Sequence, residues 1–338
     1  MRTRRVVTCW DYHHGQATRI LVSGHPFVPG STMREKQENF RAEADDLRAA
    51  LCREPRGHRN MLGAIVTDPI EAGSVVGVLF TSPDGYFDMC GDSSFSLGSY
   101  LADSGLVAKP EGGTGSVEAP VDTVAGKVVL RLRFRDGELV DTTIRNVASH
   151  LVEVTEIDVE GLGSLRAEIG YGGLTYAFFD ADDLGFSTLL IEDMSVEEQA
   201  RLISVGSDLW SAAQESRLAM PVDLITICEK LADGTGYRVA NFYARGTMGR
   251  TPSGTGLSAH VGSDYGLGRM KIGDTLVHES VLGLRFTSTP VEEAEVAHGT
   301  ASATAVVPEL SARSYLMGVQ QIYFEEDDPF QGGFQIAT

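Results

Sequence analysis

Nowhere in these 338 residues is there an apolar run long enough to cross a bilayer, which argues against a helical membrane span. The chain opens MRTRR, and the short apolar stretch at 6–10 is met at once by Asp11, His13 and His14. That is not the uninterrupted apolar core of a secretory leader, so a cytoplasmic location is expected. Cysteine is scarce as well. Cys9, Cys52, Cys90 and Cys228 form no CxxC pair and no metal-ligand spacing. Free thiols in a reducing compartment are therefore expected, with no metal. Cations are outnumbered, 28 Lys and Arg against 47 Asp and Glu, for a net charge of −19. Such acidity argues against nucleic acid or an anionic membrane as a partner. It leaves a small-molecule substrate open, because local charge in a pocket can oppose the global sign.

What is present is a globular balance, 42 % hydrophobic and 22 % charged, in a chain long enough for two ordinary domains. Residues 6–10 and 17–22 read as strands. A helix is expected over 33–51, with Phe40, Leu47 and Leu51 facing a core. Strands follow at 61–67 and 75–80, then a turn at Pro83-Asp84-Gly85. Met89-Cys90-Gly91-Asp92-Ser93-Ser94 precedes Phe95, Leu97, Tyr100 and Leu101, a mostly buried helix ending at Ser104-Gly105. Residues 109–116 read as a loop and 128–134 as a half-buried strand. Ser195 and Glu198 make a capping-box pattern that opens a long helix to 215. Strands are expected at 224–228 and 238–244. Thr251-Pro252-Ser253-Gly254-Thr255-Gly256 then leads into a helix over 257–265.

The order of elements repeats. Each half offers strands, a long helix, more strands, a Gly-rich turn with a small nucleophilic residue, and a short apolar helix. Cys90-Gly91 in the first half matches Ser253-Gly254 in the second. A duplicated α/β unit with a cleft between the halves follows, and such clefts commonly hold ligands. A Gly-rich turn opening a helix aims unpaired backbone N–H groups and the positive dipole end at one spot. Two such turns would cradle a carboxylate and lower the pKa of a thiol placed there. A thiolate can then take a proton, and the oriented donors hold the charge that develops. The alternatives are plain ones: Cys90 as a buried structural cysteine, Ser253 as a loop serine. The capping residues Gly91, Asp92 and Ser93 favour the reactive reading of Cys90.

Met89-Cys90-Gly91 before a helix resembles the first catalytic motif of the proline racemase family. Arg250-Thr251-Pro252-Ser253-Gly254-Thr255-Gly256 resembles the second, usually Asp-Arg-Ser-Pro-Cys-Gly-Thr-Gly. Glu54-Pro55-Arg56-Gly57-His58-Arg59-Asn60-Met61 is similar to a signature upstream of the first cysteine. Tyr171-Gly172-Gly173, His278-Glu279-Ser280 with Gly283, and Asp328-Pro329-Phe330 with Gly333-Phe334 fall where the family has like motifs. The order is kept over nearly the whole chain.

The resemblance implies the α/β (α+β) fold of diaminopimelate epimerase, two pseudo-symmetric domains each with a curved mixed sheet around a central helix, the active site in the cleft between them. The first domain would be 1–150 plus 320–338 and carry Cys90; the second would be 151–319 and carry Ser253. No cofactor or metal is implied. Cys90 and Ser253 would be the catalytic pair, with backbone N–H groups of Gly91, Asp92, Gly254 and Thr255 holding the substrate carboxylate. Family members are often homodimers, though the sequence marks no interface. Three positions depart from the family. Ser253 stands for the second cysteine, Asp92 for the usual His, and Gly249 for the Asp that pairs the substrate's ring nitrogen.

Three functions stay open. The first is an isomerase in which Cys90 takes the α-proton of a proline-like amino or imino acid, as racemase, epimerase or tautomerase. The second is a lyase of the trans-3-hydroxyproline dehydratase kind, which needs one base. The third is a binding protein on a retired racemase fold. His13-His14-Gly15-Gln16 stands where the family has a His-Thr-Gly-Gly-Glu stretch and reads as a structural turn. His58 reads as structural, between sheet and helix, and His260 as a packing or surface residue.

Overall fold

The computed structural model describes residues 4–244, 247–298 and 301–336. The opening Met1, Arg2 and Thr3 of the MRTRR segment lie outside them. By contacts the chain groups into two compact units, Met1–Ile144 with Arg313–Thr338, and Arg145–Ala312.

The first unit runs β1 (Arg4–His13), β2 (Ala17–Ser23), α1 (Met33–Cys52), β3 (Leu62–Thr67), β4 (Val76–Thr81), β5 (Tyr86–Phe87), α2 (Gly91–Asp103), β6 (Gly115–Thr123), β7 (Gly126–Arg135) and β8 (Glu138–Arg145). The second runs β9 (His150–Val159), β10 (Gly163–Tyr171), β11 (Thr175–Asp180), α3 (Val196–Glu215), β12 (Leu224–Lys230), β13 (Gly236–Ala244), β14 (Thr247–Met248), α4 (Gly254–Gly266), β15 (Leu276–Ser280), β16 (Arg285–His298) and β17 (Ala301–Ala312). The chain then returns to the first unit as β18 (Tyr315–Glu325), antiparallel to β1.

Strand pairing is the same in both. In the first unit the order is β18-β1-β2-β3-β4-β6-β7-β8, parallel only at β2–β3 and β4–β6, with β5 folded back on β4. In the second it is β9-β10-β11-β12-β13-β15-β16-β17, parallel only at β11–β12 and β13–β15, with β14 folded back on β13. Parallel neighbours need a crossover, and α1, α2, α3 and α4 supply them.

Each crossover helix has a local cause. Thr32 accepts the Glu35 N–H and starts α1, which buries Met33, Phe40, Leu47 and Leu51 against Val7, Leu21, Ile65 and Leu79. Ser195 and Glu198 complete the capping box of α3, and Leu202, Val205 and Leu209 join the second core. The 13-residue helices α2 and α4 are buried nearly all round, as a central helix must be. The helix α4 touches β9, β10, β11, β15, β16 and β17, so the second sheet curls around it. Small residues permit that closeness. A Cβ on Gly262 would come within 2.4 Å of the His150 nitrogen, and one on Gly98 in α2 within 2.4 Å of Thr142 Oγ1.

Some expected bounds shift. The first strand runs on to His13, because Asp11 and Tyr12 stay paired to both neighbours. The expected loop at 109–116 gives way to β6 at Gly115. The last short helix begins at Gly254 rather than 257, since Ser253 caps it. Among the described residues no helix is long and apolar enough to cross a membrane.

Candidate active site

Cys90 is the N-cap of α2, extended at φ −138° and ψ 110°. The residue is half-buried; its Sγ accepts the Ser93 N–H at 3.5 Å, while its carbonyl accepts from the Ser94 N–H and Oγ. Gly91 and Asp92 follow in the first turn, where backbone donors have no intrahelical acceptor. The expected acidic thiol is not found. Burial, and then the negative charge of Asp92, push Cys90 up to about 11, against the downward pull of the Ser93 hydrogen bonds. The local rule for helix N-termini loses here because desolvation of a thiolate outweighs it.

His14 closes the other side of Asp92. It is buried, its Nε2 lies 4.0 Å from Asp92 Oδ1, and its Nδ1 is 3.3 Å from Ser96 Oγ, which also meets Ser314. Burial lowers His14 below the ordinary histidine range, against the upward pull of Asp92. The turn expected at 13–16 is present, with the His14 N–H on the Gln16 carbonyl, but the His14 side chain reaches the start of α2.

Ser253 is the N-cap of α4, and its φ of 64° is in the left-handed region. A non-glycine residue held there costs about 1–3 kcal/mol. Its Oγ accepts the Gly256 N–H at 3.1 Å and lies 2.8 Å from the Tyr176 hydroxyl, which is 2.7 Å from Thr255 Oγ1. Gly254 and Thr255 begin the helix, with donors of the same unpaired class as Gly91 and Asp92. Tyr176 did not stand out in the sequence. Its one signal is its place shortly after Tyr171-Gly172-Gly173, which packs on α4: a Cβ on Gly172 would sit 2.5 Å from the Thr255 carbonyl.

Other motifs also converge within their own units. In the second, His278 of His278-Glu279-Ser280 meets His260 and the Pro252 carbonyl, and Glu279 pairs with Arg238 and Arg285. His260 is a core residue, sandwiched between Phe178 and Tyr237 at 4.5 and 4.4 Å. It lines a pocket of about 410 Å³ with Glu168, Cys228 and Arg269, which does not include Ser253. In the first unit, the 54–61 signature joins the C-terminal motif. Arg56 pairs with Asp328 and donates to the Phe330 carbonyl, and the Phe334 N–H donates to the Glu54 carbonyl. These contacts hold the fold. His58 is exposed in that turn rather than packed between sheet and helix, with Nδ1 accepting the Asn60 N–H. Among the described residues no cluster of His, Cys, Asp and Glu is arranged to hold a metal.

Comparison with known proteins shows the family. The family model described as Proline racemase matches residues 9–335. The chain belongs to the proline racemase family. It is 31 % identical to proline racemase A of Trypanosoma cruzi, covering 99 % of this chain and 83 % of the relative. It is 33 % identical to 4-hydroxyproline 2-epimerase of Streptosporangium roseum, covering 99 % of each. The structure of a hydroxyproline epimerase from Agrobacterium vitis with bound trans-4-hydroxy-L-proline superposes with a TM-score of 0.79 at 25 % identity, covering 99 % of this chain and 96 % of that one. The mixed α/β fold expected from the resemblance is thus the fold of this family, and a PhzF-family protein of Bacillus anthracis shares it at a TM-score of 0.60.

Within a proline racemase family framework, the departures acquire an environment. A Cβ on Gly249 would meet Asn241 Cβ at 3.6 Å, so backbone geometry leaves room for the side chain missing there. Asp92 supplies a carboxylate at the other turn. Its effect on Cys90 is directly testable by alkylation, since Cys9, Cys52 and Cys228 are buried with thiols pushed up. Below a pKa of about 11, each pH unit multiplies the thiolate tenfold. Asp92→Asn removes one upward push, so its iodoacetamide rate against pH should shift to lower pH, several-fold faster at pH 8. Superimposable profiles would show that Asp92 does not govern the thiol.

Proposed function

We propose that this chain is a cofactor-independent isomerase of a proline-like cyclic amino or imino acid, with Cys90 as the base that takes the α-proton. The observation that carries the reading is Cys90, a partly exposed residue that caps a buried helix beside Asp92. Thiolate takes the α-proton and becomes thiol, while the electron pair delocalises into the substrate carboxylate. The N–H groups of Gly91 and Asp92 are donors suited to that charge, and Gly254 and Thr255 are their counterparts in the second motif. A proton then returns to the same carbon, giving a racemase or epimerase, or to a conjugated position, giving a tautomerase.

A thiol near 11 needs help to ionise, and the substrate can give it. A ring ammonium set against Asp92 neutralises that carboxylate and removes one of the two pushes that hold the thiol up. In this reading Asp92 takes over the acidic role absent at Gly249, and binding the correct zwitterion arms the base. The family relatives named for proline and 4-hydroxyproline support this substrate class. Exchanging charge by Asp92→His should disfavour cationic rings; unchanged substrate binding would remove Asp92 from this role.

One observation favours a second reading, the lyase. Among the described residues Ser253 Oγ is hydrogen-bonded to the Tyr176 and Thr255 hydroxyls and the Gly256 N–H rather than to a base, an arrangement better suited to giving a proton to a departing hydroxyl than to taking one from carbon. Incubation in deuterated water with proline, 4-hydroxyproline and trans-3-hydroxyproline separates the readings. α-Deuterium with inversion marks the isomerase. A ketimine trapped by an amine-aldehyde reagent marks the lyase. Neither product across the panel would overturn racemase, epimerase and lyase for these substrates and favour a binding protein or a substrate outside the panel.

A further inference from the structure

The turn that presents Ser253 holds a backbone angle few residues adopt, and two buried side chains grip the carbonyls just before it. Asn241 Nδ2 donates to the Thr251 carbonyl at 3.2 Å, and the Asn241 Oδ1 is fixed by Thr226 Oγ1 at 2.7 Å. His278 Nδ1 lies 3.4 Å from the Pro252 carbonyl, and its Nε2 is 2.9 Å from His260 Nδ1. All four side chains are buried. A carbonyl can only accept, so His278 carries its proton on Nδ1. In a neutral ring Nε2 must then accept, which makes His260 Nδ1 the donor. Protonating His278 would set two donors against each other across 2.9 Å unless His260 also moved its proton to Nε2, whereas these bonds tolerate either charge state of His260.

We propose that His278 is a positioning residue for the second reacting turn, its tautomer set by His260, and that it acts with Asn241 as a clamp that keeps Ser253 in its left-handed conformation. The proposal rests on the reading of Ser253 as part of the reacting machinery. The surroundings agree with a neutral pair. Burial lowers both rings, and His260 lowers His278 further. Around His260 stand Asp264, Glu168 and Arg269, with Phe178 and Tyr237 stacked on its faces, while Tyr237 also meets the edge of His278. Among the described residues neither histidine hydrogen-bonds the Ser253 hydroxyl, so their action is through the backbone.

Two substitutions divide the clamp. In His278→Asn the amide nitrogen occupies the place of Nδ1 and can still donate to Pro252. In His278→Gln the amide oxygen occupies the place of Nε2 and can accept from His260, but the Pro252 bond is lost. For the α-proton exchange of the proposed function, His278→Gln should lose at least tenfold in kcat with KM within twofold, and His278→Asn should return to within threefold of the wild type. Equal losses in both would mean that the histidine merely fills space, and no loss in either would overturn the clamp. Nitrogen-15 spectra of histidine-labelled protein give an answer independent of chemistry. Both rings should be Nδ1–H tautomers, the minority form in water, and the Ser253 and Gly254 amide signals should move in His278→Gln but hold in His278→Asn. An Nε2–H tautomer at His278, or amides unmoved in both variants, overturns the proposal even if the substrate assignment stands. Expected tautomers and shifts without any proton exchange would leave the clamp intact and sink the proposed function alone.

Discussion

Replacing Cys90 with alanine is expected to abolish α-deuterium incorporation, a loss of about 10³-fold or more for removal of a positioned general base. The fold should survive. Cys90 caps α2 through one long N–H···S contact, and losing a cap costs about 1 kcal/mol, while ten consecutive residues of that helix, Ser93 to Ala102, are buried. A modest fall in melting temperature with a complete loss of exchange is therefore the expected pair of results. Cys90→Ser separates the two roles, because a hydroxyl caps at least as well as a thiol yet is a far weaker acid. It should restore stability and leave exchange absent. Full activity in Cys90→Ala would end the proposed mechanism.

The pH dependence follows from the same thiol. Without substrate, ionisation lies near 11, so alkylation should climb with pH throughout the neutral and mildly alkaline range. If a ring ammonium neutralises Asp92 on binding, kcat should level off at a lower pH than alkylation of the free protein does. Asp92→Asn should narrow that gap, since the carboxylate that creates it is gone. The two profiles together distinguish a thiol armed by its substrate from one armed by the helix alone.

Much of this arrangement was legible because it is local. Ser195 with Glu198, and the Gly91-Asp92-Ser93 run after Cys90, each announce a helix within a few residues, and a helix begins at each. The repeated order of long helix, Gly-rich turn and short apolar helix was legible for the same reason, and the matching strand orders of the two units give it a structural basis. What escaped is non-local. Tyr176 meets Ser253 across 77 residues, and His260 meets His278 from a different element. No spacing rule reaches either pair. His14 shows a third limit: the backbone turn was readable, but its side chain's burial against Asp92 depends on how β1 packs against α2. Cys90 is the case where a local rule misled, since dipole and caps are written in the sequence and desolvation is not. The strand β18 went unread because its apolar residues do not alternate: Leu316, Met317 and Val319 are exposed and only Ile322 is buried, so no period of two marks it.

Ser253→Cys should gain racemisation or epimerisation of proline or 4-hydroxyproline, on the order of 10²-fold over the wild type, measured by chiral chromatography. The substitution asks little of the backbone, because cysteine and serine share the same Cβ and the left-handed φ of 64° is held by the turn around it. It changes the acidity of the group at that cap by many pKa units. Racemisation needs one group per face of the α-carbon, each able to hold a proton reversibly, and in the proposed mechanism those groups would be the Cys90 thiol and the Ser253 alcohol. A second thiol makes the two half-steps alike. The double variant Cys90→Ala with Ser253→Cys sharpens the argument: it should exchange the α-proton of one enantiomer without inverting it, and that enantiomer should be the opposite of the one from which Cys90 takes its proton. If the single variant inverts no faster than the wild type, Ser253 is not the second proton-handling residue. That outcome would favour the one-base lyase, in which Cys90 alone takes the α-proton.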